Sequence, residues 1–295
     1  MKKFKGSWRL AIKIFAGIFL TAAFLGAWAF WWEPNSLTTR EVTLEIPHWN
    51  EGLQNLKVAV LADLHVGSPF IDLKKLRKVV EKTNEGRPDL IVLLGDLVIT
   101  GVPGGHFIPA EPIAEELGKL HAPLGVVSIL GNHDWWYDGG KVRQSLERQE
   151  IRVLENSVLP VDFRGRRFWL AGLGDLWTRQ PDIEQTLSKI HDSEPVLLLT
   201  HNPDVFVNVP ERVSLTLAGH THGGQVCFPF VGRPIVPSTY GQRFAYGHIM
   251  EGGRHLFVTS GVGTSVFPVR FRVPPEVVFL TLKPEALMAS EPDHR

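Results

Sequence analysis

Five short polar runs each follow an apolar stretch: Asp63-Leu64-His65, Gly95-Asp96, Gly131-Asn132-His133-Asp134, the single His201, and Gly219-His220-Thr221-His222. They hold carboxylates, imidazoles and one carboxamide but no thiol, a donor set that suits manganese, iron, zinc or cobalt better than copper(I) or an iron–sulfur cluster. Asp63 and His65 are two apart, so on extended backbone both side chains point to one side and can grip one ion. His220 and His222 repeat that spacing. Seven candidate ligands (Asp63, His65, Asp96, Asn132, His201, His220, His222) exceed one tetrahedral site, and a carboxylate such as Asp96 has lone pairs enough to bridge two cations. Paired divalent ions clamp the attacking and departing oxygens of a phosphoryl transfer and acidify a bridging water into a hydroxide nucleophile. Hydrolysis then needs no nucleophile from the protein.

Such residues need a rigid base. The apolar runs Val58 to Leu61, Leu90 to Leu94, Val126 to Leu130, Phe168 to Ala171, Val196 to Leu199, Leu215 to Ala218, Leu256 to Thr259 and Val277 to Leu282 read as buried strands, and the alternation from Thr38 to Ile46 as a half-exposed one. Helical spacing follows a capping Asp72 at Leu73, Leu76, Val79 and Val80, and recurs at Ile113 to Leu120 and Val142 to Gln149. Strand–helix alternation early and closer strands after Val153 predict an α/β (α+β) sandwich with mixed sheets. The five polar runs end strands, and the carboxyl ends of strands in such sheets are where loops converge on ligands.

The 295 residues are 44% hydrophobic and carry 31 basic and 31 acidic side chains. That balance argues against a chain-wide basic surface for nucleic acid, and one cysteine, Cys227, excludes a disulfide framework or a cysteine-rich metal site. The zero net charge is uneven. Residues 1–32 carry Lys2, Lys3, Lys5, Arg9 and Lys13 without an acid, +5, so the remainder is −5. From Ile14 to Trp32 no charge occurs, a length that at ~1.5 Å per residue crosses the ~30 Å core of a bilayer. The basic flank predicts a single-pass anchor in a bacterial inner membrane with its N-terminus in the cytoplasm, and Trp28, Phe30, Trp31 and Trp32 gather at the exit end as in an interfacial aromatic belt. Ala27-Trp28-Ala29 offers the alternative of a cleaved signal. The chain thus divides into a basic terminus 1–13, an anchor 14–32, a linker and first strand 33–55, a catalytic domain 56–282 and a tail 283–295. No sequence feature specifies a protein partner.

The order DxH, GD, GNHD, a lone histidine after a strand, and GHTH resembles the calcineurin-like metallophosphoesterase superfamily over residues 56 to 282. The resemblance implies a four-layer α-β-β-α sandwich with its metal site at the strand ends. It implies that Asp63, His65 and His222 hold one ion, that Asn132, His201 and His220 hold the other, with Asp96 between them, and that manganese comes first among the expected metals. His133 would contact the phosphate and serve the departing oxygen, and Asp134 would orient a neighbour. His222-Gly223-Gly224-Gln225, Ser260 to Ser265, Pro268 to Arg272 and Pro274-Pro275-Glu276, with the membrane segment, are similar to a membrane-associated bacterial phosphodiesterase branch. That branch includes enzymes of lipid-linked pyrophosphates such as UDP-2,3-diacylglucosamine. The Asp-Arg-Gly continuation of protein phosphatases is replaced by Leu97-Val98-Ile99.

For the rest of a substrate, Arg270 and Arg272 share one face of an expected strand and would receive phosphate. Trp135, Trp136 and Tyr137, with Trp177 and Arg179, would meet an acyl chain or a base. The competing reading is a non-catalytic, membrane-tethered metal-binding scaffold of the same fold.

Overall fold

A long helix, α1 (Lys2–Ala27), opens the computed structural model, which describes residues 2–285, with side chains from Trp8 onward. It continues through a π-helical turn at Trp28–Trp32 into the short α2 (Glu33–Asn35). Trp8 to Asn35 is long and apolar enough to cross a membrane and carries its apolar side chains exposed. The expected basic terminus falls partly, and the tail from 286 wholly, outside the described side chains.

The body follows as β1 (Thr38–Ile46), β2 (Leu56–Leu61), α3 (Leu73–Glu85), β3 (Leu90–Leu94), α4 (Ala110–Leu117), β4 (Val126–Ile129), α5 (Asn132–Glu147) and β5 (Arg152–Val153). Then come β6 (Ser157–Phe163), β7 (Arg166–Gly172), α6 (Ile183–Leu187), β8 (Val196–Leu199), β9 (Leu215–Ala218), β10 (Gly247–Glu251), β11 (Arg254–Val258) and β12 (Glu276–Pro284). They form two six-stranded sheets, ordered β1-β12-β2-β3-β4-β5 and β10-β11-β9-β8-β7-β6. Both are mixed: β12 runs antiparallel to β2 but parallel to β1, and β6 and β10 are antiparallel edges on a parallel core.

Alternation along the strands sorts the core into layers. Ala59, Leu61, Ile91 and Leu93 face α3, α4 and α5. Their neighbours Val58, Val60, Leu90 and Val92 meet Leu170, Leu197, Leu199 and Leu215 of the second sheet. On that sheet's outer side Ala171, Val196 and Leu198 pack on Val205, Phe206, Ile183 and Leu187. Strands apolar on both faces follow from this burial, as parallel sheets require. The result is the expected four-layer α/β sandwich.

Several boundaries differ from the sequence reading. Segment 33–55 holds the expected first strand, β1, which pairs with β12 along its whole length, whereas β12 runs to Pro284, two residues into the expected tail. β5, β6, β10 and α6 were not anticipated. Pro160 interrupts the pattern of β6 and is tolerated because β6 is an edge. Helix α5 starts at Asn132, ten residues before the expected Val142, because an irregular Asp138 and the Gly139-Gly140 pair break its apolar spacing.

Candidate metal centre

β2, β3, β4, β8 and β9 each deliver one polar run to the same place. Asp63, His65 and His222 place one donor atom each within 4.8 Å of one another, and so do Asp96, His201 and His220. In the first group His65 Nε2 and His222 Nε2 are 3.1 Å apart, with Asp63 Oδ1 3.8 Å from His222 Nε2. In the second, His201 Nε2 lies 3.2 Å from both Asp96 Oδ2 and His220 Nδ1. Asp96 Oδ2 also approaches His65 Nε2 at 3.5 Å, which joins the groups.

Divalent ions fit this arrangement. His201 meets the Leu94 carbonyl through Nδ1 at 2.8 Å; with that nitrogen donating, a neutral His201 would turn its Nε2 lone pair into the site. Facing imidazole nitrogens share at most one proton, whereas a cation satisfies both lone pairs. Asn132 Oδ1, at the floor of the cavity that opens over these groups, is buried without a hydrogen-bond partner.

The expectation of extended backbone at DxH does not hold. Asp63, His65, Asp96, His220 and His222 all have positive φ, between 44° and 68°. For residues with a Cβ this left-handed region costs about 1–3 kcal/mol each and persists where surrounding structure enforces it. Enforcement is visible. The Asp134 carboxylate accepts from the backbone N–H groups of Asp96, Leu97, Val98 and Gly131 at 2.8 to 3.1 Å, which fixes the β3 loop on the start of α5. Asp134 therefore positions Asp96 rather than His133. Asp63 accepts at 3.0 Å from the His220 N–H and locks the β2 loop to the β9 loop. Gly131 has no room for a side chain, since a Cβ there would press on Asp96 Oδ1 and come within 2.7 Å of His201 Cε1.

Burial sets the charges. It pushes Asp63 up to about 7, against the pull of His201. Burial would also raise Asp96, but His201, His65 and His133 outweigh it and hold this carboxyl well below the usual range. Burial would lower His201, yet Asp96 lifts it to about 10. His65 and His220 fall to about 3 through burial, and His222 falls well below its ordinary value. Without metal the cluster thus holds an Asp96–His201 ion pair and three neutral imidazoles, which present lone pairs without having to shed a proton.

A cavity of about 1100 Å³ opens over these groups. Asp96, Asn132, His133, His220 and His222 reach its floor; its walls are mostly apolar and include Leu25, Ala29 and Phe30 of the N-terminal helix. Half-buried His133 donates its backbone N–H to Asp96 Oδ1 at 2.9 Å and sets its ring edge-on to His65 and Trp136. Trp136 stacks on Trp177, whose ring meets His220 edge-on at 4.3 Å. Asp175, overlooked in the sequence, holds Trp177 there by accepting from its N–H at 3.0 Å and from Thr178. An aspartate two residues before an exposed tryptophan is the signal that marked it.

Four expected substrate contacts lie elsewhere. Trp135 packs against the core with Arg179 over its ring at 4.4 Å, and Arg179 pairs with Glu155; Trp136 and Trp177 face the cavity instead. Arg270 and Arg272 share no strand. Arg272 is exposed at positive φ, whereas Arg270 is fully buried, donating to the carbonyls of Val273, Ser260, Gly261 and Gly263. Those glycines abut Asp63 and His65, so Arg270 fixes the wall behind the first donor group. Burial lowers the guanidinium to about 10, with Asp63, Glu276 and Glu33 opposing. Replacing Arg270 with methionine leaves the buried carbonyls of Val273, Ser260 and Gly263 without their donor, an expected loss of about 3 kcal/mol in unfolding free energy, readable as a lower urea midpoint.

The calcineurin-like phosphoesterase family model matches residues 56–224. The metallophosphoesterase YkuE of Bacillus subtilis (strain 168) is 36% identical over 270 residues, 90% of this chain and 92% of that protein. Phosphodiesterase YaeI of Escherichia coli (strain K12) is 35% identical over 234 residues, 77% of this chain and 82% of that protein. A Danio rerio "transmembrane protein with metallophosphoesterase domain" is 30% identical over 82% of this chain and 56% of its own length.

Proposed function

The chain belongs to the calcineurin-like phosphoesterase family, and from that premise we propose that it is a membrane-tethered phosphodiesterase acting on phosphodiester or pyrophosphate bonds of amphiphilic, lipid-linked substrates. Family members carry a dinuclear divalent centre. The two donor groups joined through Asp96 suit it, and two ions held there supply an acidified water and positive charge for the phosphoryl oxygens. Asp63, His65 and His222 would hold one ion and Asn132, His201 and His220 the other, with manganese the first candidate. The His133 side chain faces the cavity beside both groups, placed to bind a phosphoryl oxygen and pass a proton to the departing one. Trp136 and Trp177 shield the floor from bulk water.

The cavity carries this reading: a polar, ligand-lined floor under apolar walls that α1 helps to build. Phosphodiesterase YaeI among the relatives supports the bond type. The basic prefix favours a body outside the cytoplasm by charge asymmetry, and that topology suits lipids better than a cytoplasmic nucleotide-lipid. UDP-2,3-diacylglucosamine draws no support from the relatives.

Metal removal is the test. The detergent-solubilised full chain, stripped with chelator, is expected to lose hydrolysis of bis-p-nitrophenyl phosphate and of a diacyl phosphodiester in mixed micelles. Manganese should restore both, with the higher kcat/KM on the diacyl compound. A chain that binds two ions yet hydrolyses neither is the non-catalytic scaffold; equal kcat/KM for the two would overturn the lipid preference.

A further inference from the structure

We propose that the loop tip Phe228–Gly232, with Val266 and Phe267, enters the same membrane leaflet as the exit end of α1, as a second bilayer contact beside the cavity mouth. The proposal rests on reading α1 as a membrane span and does not depend on the reaction catalysed.

The apolar residues here are exposed to a degree that water does not favour. Phe228, Phe230, Val231, Ile235, Val266 and Phe267 are all exposed, Phe230 fully so. Single exposed apolar residues are ordinary, whereas six on two adjoining loops form a patch of the kind that marks an interface. The Phe228 N–H donates to the Gly232 carbonyl at 2.8 Å and the Gly232 N–H returns the bond at 3.0 Å, so the tip is a turn closed at its base. The remaining backbone groups at the tip fit the headgroup–acyl boundary, where water and headgroups are at hand, rather than the hydrocarbon core.

Depth follows from contacts with α1. The Arg270 N–H donates to the Ala29 carbonyl at 2.9 Å, and the Val273 N–H donates to Glu33 Oε1 at 2.5 Å. Trp28 Nε1 donates to the other Glu33 oxygen at 2.6 Å. Phe228, Ile235, Val266 and Phe267 wall the same cavity as Leu25, Ala29 and Phe30. The loops therefore sit at the level along the helix of Trp28, Trp31 and Trp32, whose amphipathic rings favour the interface. Charge agrees. From Gly219 to Pro275 the chain has one acidic residue, Glu251, against Arg233, Arg243, Arg254, Arg270 and Arg272. Glu251 is paired with Arg243, so this segment itself brings no free carboxylate to an anionic lipid surface.

The experiment uses the full chain with Cys227→Ser, carrying one environment-sensitive fluorophore at Phe230→Cys, at Phe19→Cys on α1, or at Arg164→Cys in the distant turn between β6 and β7. The proteins are reconstituted in phosphatidylglycerol–phosphatidylethanolamine vesicles. Labels at 230 and 19 are expected to shift to the blue, lose most emission to nitroxide-bearing lipids and resist iodide, while the label at 164 behaves oppositely. Iodide quenching at 230 equal to that at 164 overturns the proposal. So does protection from iodide without lipid quenching, which would mean that a second copy of the chain covers the tip. A label at 19 untouched by nitroxide lipids removes the membrane span and the proposal with it, whatever the hydrolytic activity.

Discussion

Asp96→Asn is expected to lower kcat on a chromogenic phosphodiester by at least about 10³-fold, some 4 kcal/mol of transition-state stabilisation. The substitution keeps shape and removes charge. Asp96 Oδ2 is the atom that faces both donor groups, 3.2 Å from His201 Nε2 and 3.5 Å from His65 Nε2, while Oδ1 anchors the start of α5 through the His133 N–H. An asparagine oxygen can take over the anchor but cannot bridge two cations as an anion does. Bound metal should therefore fall from about two ions per chain to one or fewer, read by elemental analysis of the purified protein. Near wild-type turnover with two ions retained would mean that Asp96 does not join the two groups.

The donor residues were legible because carboxylates and imidazoles directly after β-branched runs have few structural reasons to be there. Strand direction then brought five such runs to one end of two sheets. What stayed hidden depends on contacts distant in sequence. The left-handed backbone at Asp63, His65, Asp96, His220 and His222 arises from hydrogen bonds between loops, such as Asp63 to the His220 N–H. Spacing alone suggested an extended strand. Arg270 in an apolar–polar alternation read as a strand-face arginine; its burial follows from folding the 260–263 carbonyls around it. Glu33 looked like a mere boundary after the apolar segment, yet its carboxylate ties α1 to Val273, 240 residues away. These links give the end of the N-terminal helix a role in the body: it closes a cavity wall and buttresses, through Arg270, the segment behind Asp63.

His133→Gln is expected to separate metal binding from chemistry. His133 comes within 4.8 Å of His65 and Asp96 but belongs to neither of the two expected ligand sets, its Nδ1 lacks a partner and its ring sits between His65 and Trp136 at the cavity floor. Glutamine preserves the backbone N–H that holds Asp96, so two ions should remain. It removes a group that can donate a proton, and a positioned acid contributes about 10²–10⁴-fold when the departing oxygen is basic. The loss should therefore depend on the leaving group: about 10²-fold or more on an alkyl phosphodiester, and about tenfold on a p-nitrophenyl ester, whose phenolate leaves unprotonated. A side chain that only binds phosphate would cost both substrates alike, mainly in KM. Comparison of kcat for the two leaving groups in wild type and variant decides between these roles, and equal losses would assign His133 to phosphate binding alone.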